Sequence, residues 1–294
     1  MIYFQNVSKI YPGSNSAINN LCFDISDGET LGIIGPIGAG KTTLLRMLAG
    51  LIKPTDGNLH SDINKKSIGY MPATEGLIHN LSVLENLRIW ASAYNASEDD
   101  MNELIEFFRM SSFINKKIFQ LSSGLRIITA FACAVIGNSK LILLDEPFVH
   151  LDVESALNVE KYIKCKLKNR TVLLSSHNLE YIEGICDKYI ILDHGIQKYF
   201  GTADQLKKEY SSKLAKIKYN GILSRKDKKY LEDNLGFNFI DNGIVYVDLN
   251  IKELSSYIEI LRKYNLSIEG INEQCTGLQE IYLKILEKTS NNIK

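Results

Sequence analysis

Short apolar runs without polar alternation recur through the first two hundred residues: TLGII at 30–34, LILL at 141–144, TVLL at 171–174 and YIIL at 189–192. Runs of this kind predict strands buried on both faces, as in a parallel sheet covered by helices. The stretches 41–49 and 153–168 fit helices between them, so this half predicts an α/β fold with a mainly parallel sheet. Residues 75–118 break the rhythm and read as helices. One carries Leu81, Leu84, Leu87, Ile89 and Trp90, and Ser82 with Glu85 three positions later is a capping-box start for it. A second carries Met101, Leu104, Ile105 and Phe108 at helical spacing. The pattern is that of a helical insertion in an α/β body.

The pattern shifts near residue 206. Nine basic residues against two acidic ones fall between positions 207 and 229. The order then predicted is strand 213–219, helix 224–234, strands 237–240 and 243–249, helix 252–263, strand 266–271 and helix 277–287. Asp241, Asn242 and Gly243 between alternating runs signal a type I′ hairpin. Strand–helix–strand–strand–helix–strand is the order of a split βαβ, or ferredoxin-like, unit. Leu278, Ile281, Tyr282, Ile285 and Leu286 share one face of the last helix. The basic run reads as a solvated face, with contact to lipid headgroups or to a partner's acidic loop as the alternative.

Composition narrows the class. A length of 294 residues suggests roughly two domains at about 150 residues each. With 45% apolar and 23% charged residues this is an ordinary globular composition. Thirty-four basic residues balance thirty-four acidic ones, so no global field draws the chain to nucleic acid. Five cysteines, at 22, 133, 165, 186 and 275, form no CxxC pair, which argues for a reducing cytosol and against a zinc site. The first residues lack a basic stretch followed by an apolar one, so no signal peptide is expected. The longest weakly polar run, 127–137, is far short of the ~20 residues that span a bilayer.

The chemistry concentrates in three places. GPIGAGKT, residues 35–42, matches G-x-x-x-x-G-K-[ST] completely, follows the strand at 30–34 and opens a helix. Gly35, Pro36, Ile37, Gly38, Ala39 and Gly40 form a loop whose N–H groups can surround phosphate oxygens, aided by the helix N-terminus. Lys41 can reach the β- and γ-phosphates, the Thr42 hydroxyl can ligate Mg²⁺, and Thr43 lies in the same first turn. Asp145 and Glu146 end the apolar run 141–144, at the edge where α/β sheets place ligands. Asp145 suits a magnesium ion and Glu146 the orientation or deprotonation of an attacking water. His177 closes another buried strand on the same edge and reads as a γ-phosphate contact.

These residues resemble the ATP-binding subunit of ABC transporters over residues 1 to about 205. Residues 35–42 stand as its Walker A motif, LSSGL at 121–125 as its LSGGQ signature, and Asp145-Glu146-Pro147 as its Walker B motif with the catalytic glutamate. Residues 149–152 correspond to its D-loop and His177 to its switch histidine. Tyr11, thirty residues before Lys41, matches the aromatic residue that stacks on adenine. The resemblance implies ATP and Mg²⁺ as ligands. It also implies head-to-tail pairing of two ATP-binding chains, with Ser122, Ser123, Gly124 and Asp152 acting across the dimer. Integral membrane permease subunits would then be driven from the cytoplasmic side, with no nucleic acid involved. The expected fold is an α/β P-loop NTPase core with an antiparallel N-terminal β region and a helical insertion at about 75–138. The remaining residues, 206–294, are expected to form a small α+β accessory domain like the tail of drug-, bacteriocin- and polysaccharide-export ATPases.

Several positions depart from the family pattern, among them Ile127, Ile128 and Thr129, which replace the arginine-bearing tail of the signature. Ala73 stands where the segment GYMPA has its usual glutamine, and a methyl group can neither ligate Mg²⁺ nor hold a water. Ser123 replaces the first signature glycine and Leu125 its glutamine. Retained but slow hydrolysis is expected, with a weakly active or regulatory subunit paired with a different ATPase chain as the alternative. Homodimer or heterodimer stays open, as does the cargo. A DNA- or ribosome-acting ATPase fits less well, lacking the long coiled coils or the second cassette.

Overall fold

The computed structural model describes residues 1–13, 16–177, 179, 181–210, 213–240, 243–249, 251–275, 281, 282 and 285. β1 (Ile2–Ile10) and β2 (Ser16–Ile25) alternate buried and exposed positions, the period of strands with one solvated face. β3 (Thr30–Ile34) is buried at all but its first residue and leads through the glycine loop into α1 (Lys41–Leu48). β4 (Asp56–Ser61) and β5 (Ile68–Met71) follow, then α2 (Val83–Ala93), α3 (Glu98–Phe107) and α4 (Ser123–Val135) of the helical insertion. β6 (Leu141–Asp145), α5 (Val153–Lys166), β7 (Thr171–Ser176), β8 (Lys188–Asp193) and β9 (Ile196–Thr202) complete this part.

Nine strands form one sheet in the order β4-β1-β2-β9-β8-β3-β7-β6-β5. Strands β8, β3, β7, β6 and β5 are mutually parallel, whereas β1 pairs antiparallel with both β2 and β4. The expected α/β architecture, with its antiparallel N-terminal region, is therefore the observed one. Register sets the site: Ile34 pairs with Ser176 and Asp145 with Ser175, so three strand ends finish level with one another. Strands β4, β5 and β9 carry no long apolar run. β4 is exposed at four of its six positions, β5 has four residues, and neither announces itself by hydropathy.

The insertion is tied down by local polar geometry. Ser82 caps α2 with Glu85 returning the bond, as the sequence predicts, and Ser97 with Asp100 does the same for α3. Asn86 is fully buried. Its amide donates to the Ile78 carbonyl at 3.2 Å and the Ser82 carbonyl at 2.9 Å, and its oxygen accepts from Ile78 N at 2.8 Å. One side chain thus holds the loop that enters α2.

Residues 1–203 and 204–288 form two compact units. α6 (Ala203–Tyr210) begins at the boundary, and the second contains β10 (Lys213–Asn220), α7 (Arg225–Leu235), β11 (Phe237–Ile240), β12 (Ile244–Asp248), α8 (Leu254–Lys263) and β13 (Ser267–Cys275). Its sheet runs β11-β12-β10-β13, antiparallel throughout, the spatial order of a split βαβ unit. Ala215, Ile217, Leu231, Phe237, Val245, Val247, Tyr257 and Leu261 fill its core. The predicted turn residues Asp241 and Asn242 lie outside the described residues, as does most of the helix at 277–287; Ile281 and Ile285 are buried.

Among the described residues the cysteines 22, 133, 165 and 186 are free, and burial pushes the thiols of Cys133 and Cys186 up. No described helix is long and apolar enough to cross a membrane. Leucine has the branched shape of Asn86 but no polar atom, so it takes the acceptor away from Ile78 N, while the Ile78 and Ser82 carbonyls keep only their backbone donors, Leu81 N and Asn86 N. We expect Asn86→Leu to lower the unfolding free energy by about 1–3 kcal/mol, read by chemical denaturation.

Candidate functional site

The loop between β3 and α1 turns on Gly38 and Gly40, at φ 84° and 102°. No side chain caps α1, so no side-chain oxygen competes for its first amides. The loop is braced from behind: Gly195 N donates to the Ala39 carbonyl at 3.1 Å and Asn19 N to the Gly195 carbonyl at 2.8 Å. A Cβ on Gly40 would sit 2.5 Å from the Ala17 carbonyl oxygen, and one on Gly195 would sit 2.7 Å from it. The concave side bounds a cavity of about 260 Å³ lined by Ala17, residues 37–43 and Glu146.

Lys41 is only 7% exposed. Its ammonium donates to the Gly35 carbonyl at 2.7 Å and the Pro36 carbonyl at 3.2 Å, and lies 3.5 Å from Glu146 Oε1. Glu146 Oε2 accepts from the His177 amide at 3.3 Å and lies 2.7 Å from His177 Nδ1. Lysine, glutamate and histidine therefore form one polar cluster at the strand edge. Glu146 holds a left-handed backbone, φ 57°, a strained conformation for a side-chain-bearing residue.

Asp145 is 1% exposed. Its Oδ1 accepts from Ser175 Oγ at 2.7 Å, and that hydroxyl oxygen accepts from Glu146 N at 2.9 Å. Its Oδ2 is buried with no hydrogen-bond partner. A buried carboxylate oxygen left unpaired is costly, and a hard divalent cation is the partner that would satisfy it. Asp145 and the Thr42 hydroxyl fit Mg²⁺. Among the described residues no cluster of three or more His, Cys, Asp or Glu could hold a metal alone.

The other predicted residues sit as follows. The Tyr11 hydroxyl is 3.4 Å from Thr43 Oγ1, at the start of α1, with Lys9 Nζ 5.5 Å from its ring centroid. Ser122 caps α4, its hydroxyl accepting from Leu125 N at 3.4 Å, and Ser123 and Gly124 begin that helix. Asp152 caps α5 and accepts from Ser155 N at 2.7 Å, which holds its carboxyl below the usual range. Ser122, Ser123, Gly124 and Asp152 line neither of the two cavities that Glu146 borders.

Residues 18–149 match the ABC transporter family. An uncharacterised ABC transporter ATP-binding protein of Methanocaldococcus jannaschii is 33% identical over 238 residues, covering 79% of this chain and 88% of that protein. The chain belongs to the ABC transporter ATP-binding protein family. The Nod factor export ATP-binding protein I of Rhizobium etli is 31% identical over 66% of this chain and 66% of its own length. By contrast, the chain spans only 13% and 17% of two longer sub-family A relatives that it matches. Among solved structures, a dimeric post-hydrolysis ATP-binding cassette bound to ADP and Pi superposes with a TM-score of 0.63. That match has 26% identity over 69% of this chain and 98% of that one.

Within this ABC subunit, Ala73 lies exposed just beyond β5 and lines neither cavity bordered by Glu146. Two positions on, Glu75 carries a left-handed backbone (φ 69°) and accepts from Arg126 Nε of α4 at 3.1 Å, an ion pair that sequence reasoning missed. It also missed Ser175, which stands two residues before His177 and opposite Asp145, a place legible only once the β6–β7 register is known. Ser175→Ala removes the sole side-chain partner of Asp145 among the described residues. We expect a loss of about 1–3 kcal/mol in unfolding free energy without Mg²⁺, measured by denaturant titration.

Proposed function

We propose that this chain is the ATP-binding and ATP-hydrolysing subunit that powers a separate membrane-spanning subunit in the export of a drug, peptide or similar substrate. The observation that carries the reading is the convergence of Lys41, Asp145, Glu146 and His177 on one strand edge beside a cavity with room for phosphate. In this reading residues 35–43 hold the triphosphate, and Tyr11 stacks on the adenine. Lys41 gives up the Gly35 carbonyl to bind phosphate oxygens. Glu146, strained and tethered to His177, orients the attacking water and accepts its proton, while His177 stays within reach of the γ-phosphate. Mg²⁺, held by Thr42 and Asp145, would neutralise phosphate charge.

Residues 1–205 act as the cassette and 206–294 as an accessory domain. Ser122, Ser123, Gly124 and Asp152 belong to the half-site offered to a second ATP-binding chain, identical or different, because they lie away from this chain's own phosphate loop. The chain works in the cytoplasm, peripheral at the inner face of the cell membrane and without nucleic acid. The Nod factor export relative supports the export direction, and paired cassettes in a solved relative support the dimer.

Ala73 favours a slow enzyme, since its methyl group offers no hydrogen bond to water or ion. It also motivates the second reading, a weakly active or regulatory subunit beside a different ATPase chain. Phosphate-release assays test both. Lys41→Ala should lose ATP binding, and Glu146→Gln should keep binding while turnover falls about 100-fold or more. Wild type no faster than Glu146→Gln would sink the claim of hydrolysis. Ala73→Gln should raise turnover several-fold, and an unchanged rate would remove Ala73 as the brake.

A further inference from the structure

Glu146 is followed four residues later by another side-chain-bearing residue in the left-handed region, His150, at φ 62°. The turn between them is closed by Val149 N donating to the Glu146 carbonyl at 3.3 Å and Leu151 N to the Phe148 carbonyl at 3.4 Å. Left-handed backbone costs an L-residue about 1–2 kcal/mol relative to its usual conformations, a penalty glycine avoids. Such outliers point toward function when the surroundings enforce them. Here they do: the His150 carbonyl lies 3.0 Å from where a Cβ on Gly124 would stand, so the first turn of α4 abuts this loop.

The strained turn borders a second cavity of about 300 Å³. Glu146, Phe148, His150, Ser176, His177 and Tyr181 are among its lining residues. Phe148 and Tyr181 stack at 5.3 Å with planes 17° apart and give it an aromatic wall. Glu146 borders this cavity and the phosphate-loop cavity alike, so the two share this residue. His177 is already committed to Glu146 through Nδ1. His150 is exposed, and among the described residues no hydrogen bond or ion pair engages its ring. Ala73 lines neither cavity and brings no polar atom to them.

We propose that His150 is a further catalytic residue of this site, holding the attacking water together with Glu146. The proposal rests on the hydrolytic reading above. Water has two hydrogens, and one acceptor fixes only one of them. With Glu146 accepting the first and a neutral imidazole nitrogen of His150 accepting the second, a lone pair is left facing the γ-phosphorus. The water oxygen then bonds to phosphorus and its first proton passes to Glu146. The bond from phosphorus to the β,γ-bridging oxygen breaks, its electron pair leaving with ADP. His150 keeps its hydrogen bond throughout and takes no proton.

The test uses the full chain as wild type, His150→Gly and His150→Gln, with Glu146→Gln as reference. Glycine removes the imidazole and relieves the left-handed strain, so a lost fold cannot masquerade as lost chemistry. We expect His150→Gly to lower kcat about tenfold or more, leave KM for ATP within about twofold, and keep or raise Tm. It should also weaken binding of ADP with aluminium fluoride, which mimics the transferring phosphoryl group, while ATP binding in the Glu146→Gln background stays unchanged. His150→Gln, which retains a hydrogen-bonding side chain, should recover part of the rate. Wild-type turnover or analogue affinity in His150→Gly overturns the proposal, as does a fall in kcat that tracks a fall in Tm and is not relieved by glutamine. Wild type no faster than Glu146→Gln would instead defeat the hydrolytic reading, a different failure from wild type and His150→Gly both outrunning that reference equally.

Discussion

Parallel pairing brings the C-terminal ends of neighbouring strands to one edge of a sheet, and the site exists because β3, β7 and β6 keep a common register there. Ile34 stands level with Ser176, and Ser175 with Asp145. From that alignment the glycine loop leaves β3 beside the carboxylates leaving β6 and the histidine leaving β7. A one-residue slip would turn every side chain to the opposite face, moving Asp145 away from Ser175 and apolar residues out of the core. Strands buried on both faces resist such a slip because each position is packed. The apolar runs that define the core thus also set the accuracy of the polar edge.

At that edge, charges are distributed over a short relay of contacts. Ser175 links the Asp145 carboxylate to the backbone of Glu146, and Glu146 touches both His177 and Lys41. Lys41 and Glu146 are 7% and 19% exposed, so their attraction is less screened than that of a surface pair, and neither stands as an isolated buried charge. Asp145 differs, with one oxygen satisfied and the other not. A cation bound to that unpaired oxygen would draw the edge together.

Much of this was legible in the amino-acid order because the relevant signals are local. The phosphate loop is contiguous, the runs 141–144 and 171–174 are apolar enough to declare strands, and Ser82 with Glu85 declares a helix start. The β–α–β–β–α–β order of the second unit was likewise readable from alternating runs and turns. What escaped depended on contacts between distant segments. Ser175 is an ordinary strand serine until Asp145 is placed opposite it. Glu75 and Arg126 are 51 positions apart, and no periodicity relates them. Backbone strain at Glu146 and His150 has no signature in composition, because their side chains tolerate that region only under constraint. Strands β4 and β5 were missed because a polar edge strand and a four-residue strand fall below what hydropathy resolves.

The bracing of the phosphate loop carries an evolutionary consequence. Gly40 and Gly195 are far apart along the chain, yet both press against the one carbonyl of Ala17. A side chain at either position would push β2 aside and open space at the other. Each therefore restricts what mutation can do at its partner. Substitutions at the two glycines are not independent, because both act on the same strand. A suppressor of a substitution at Gly195 should consequently arise at the start of β2, rather than near it in sequence.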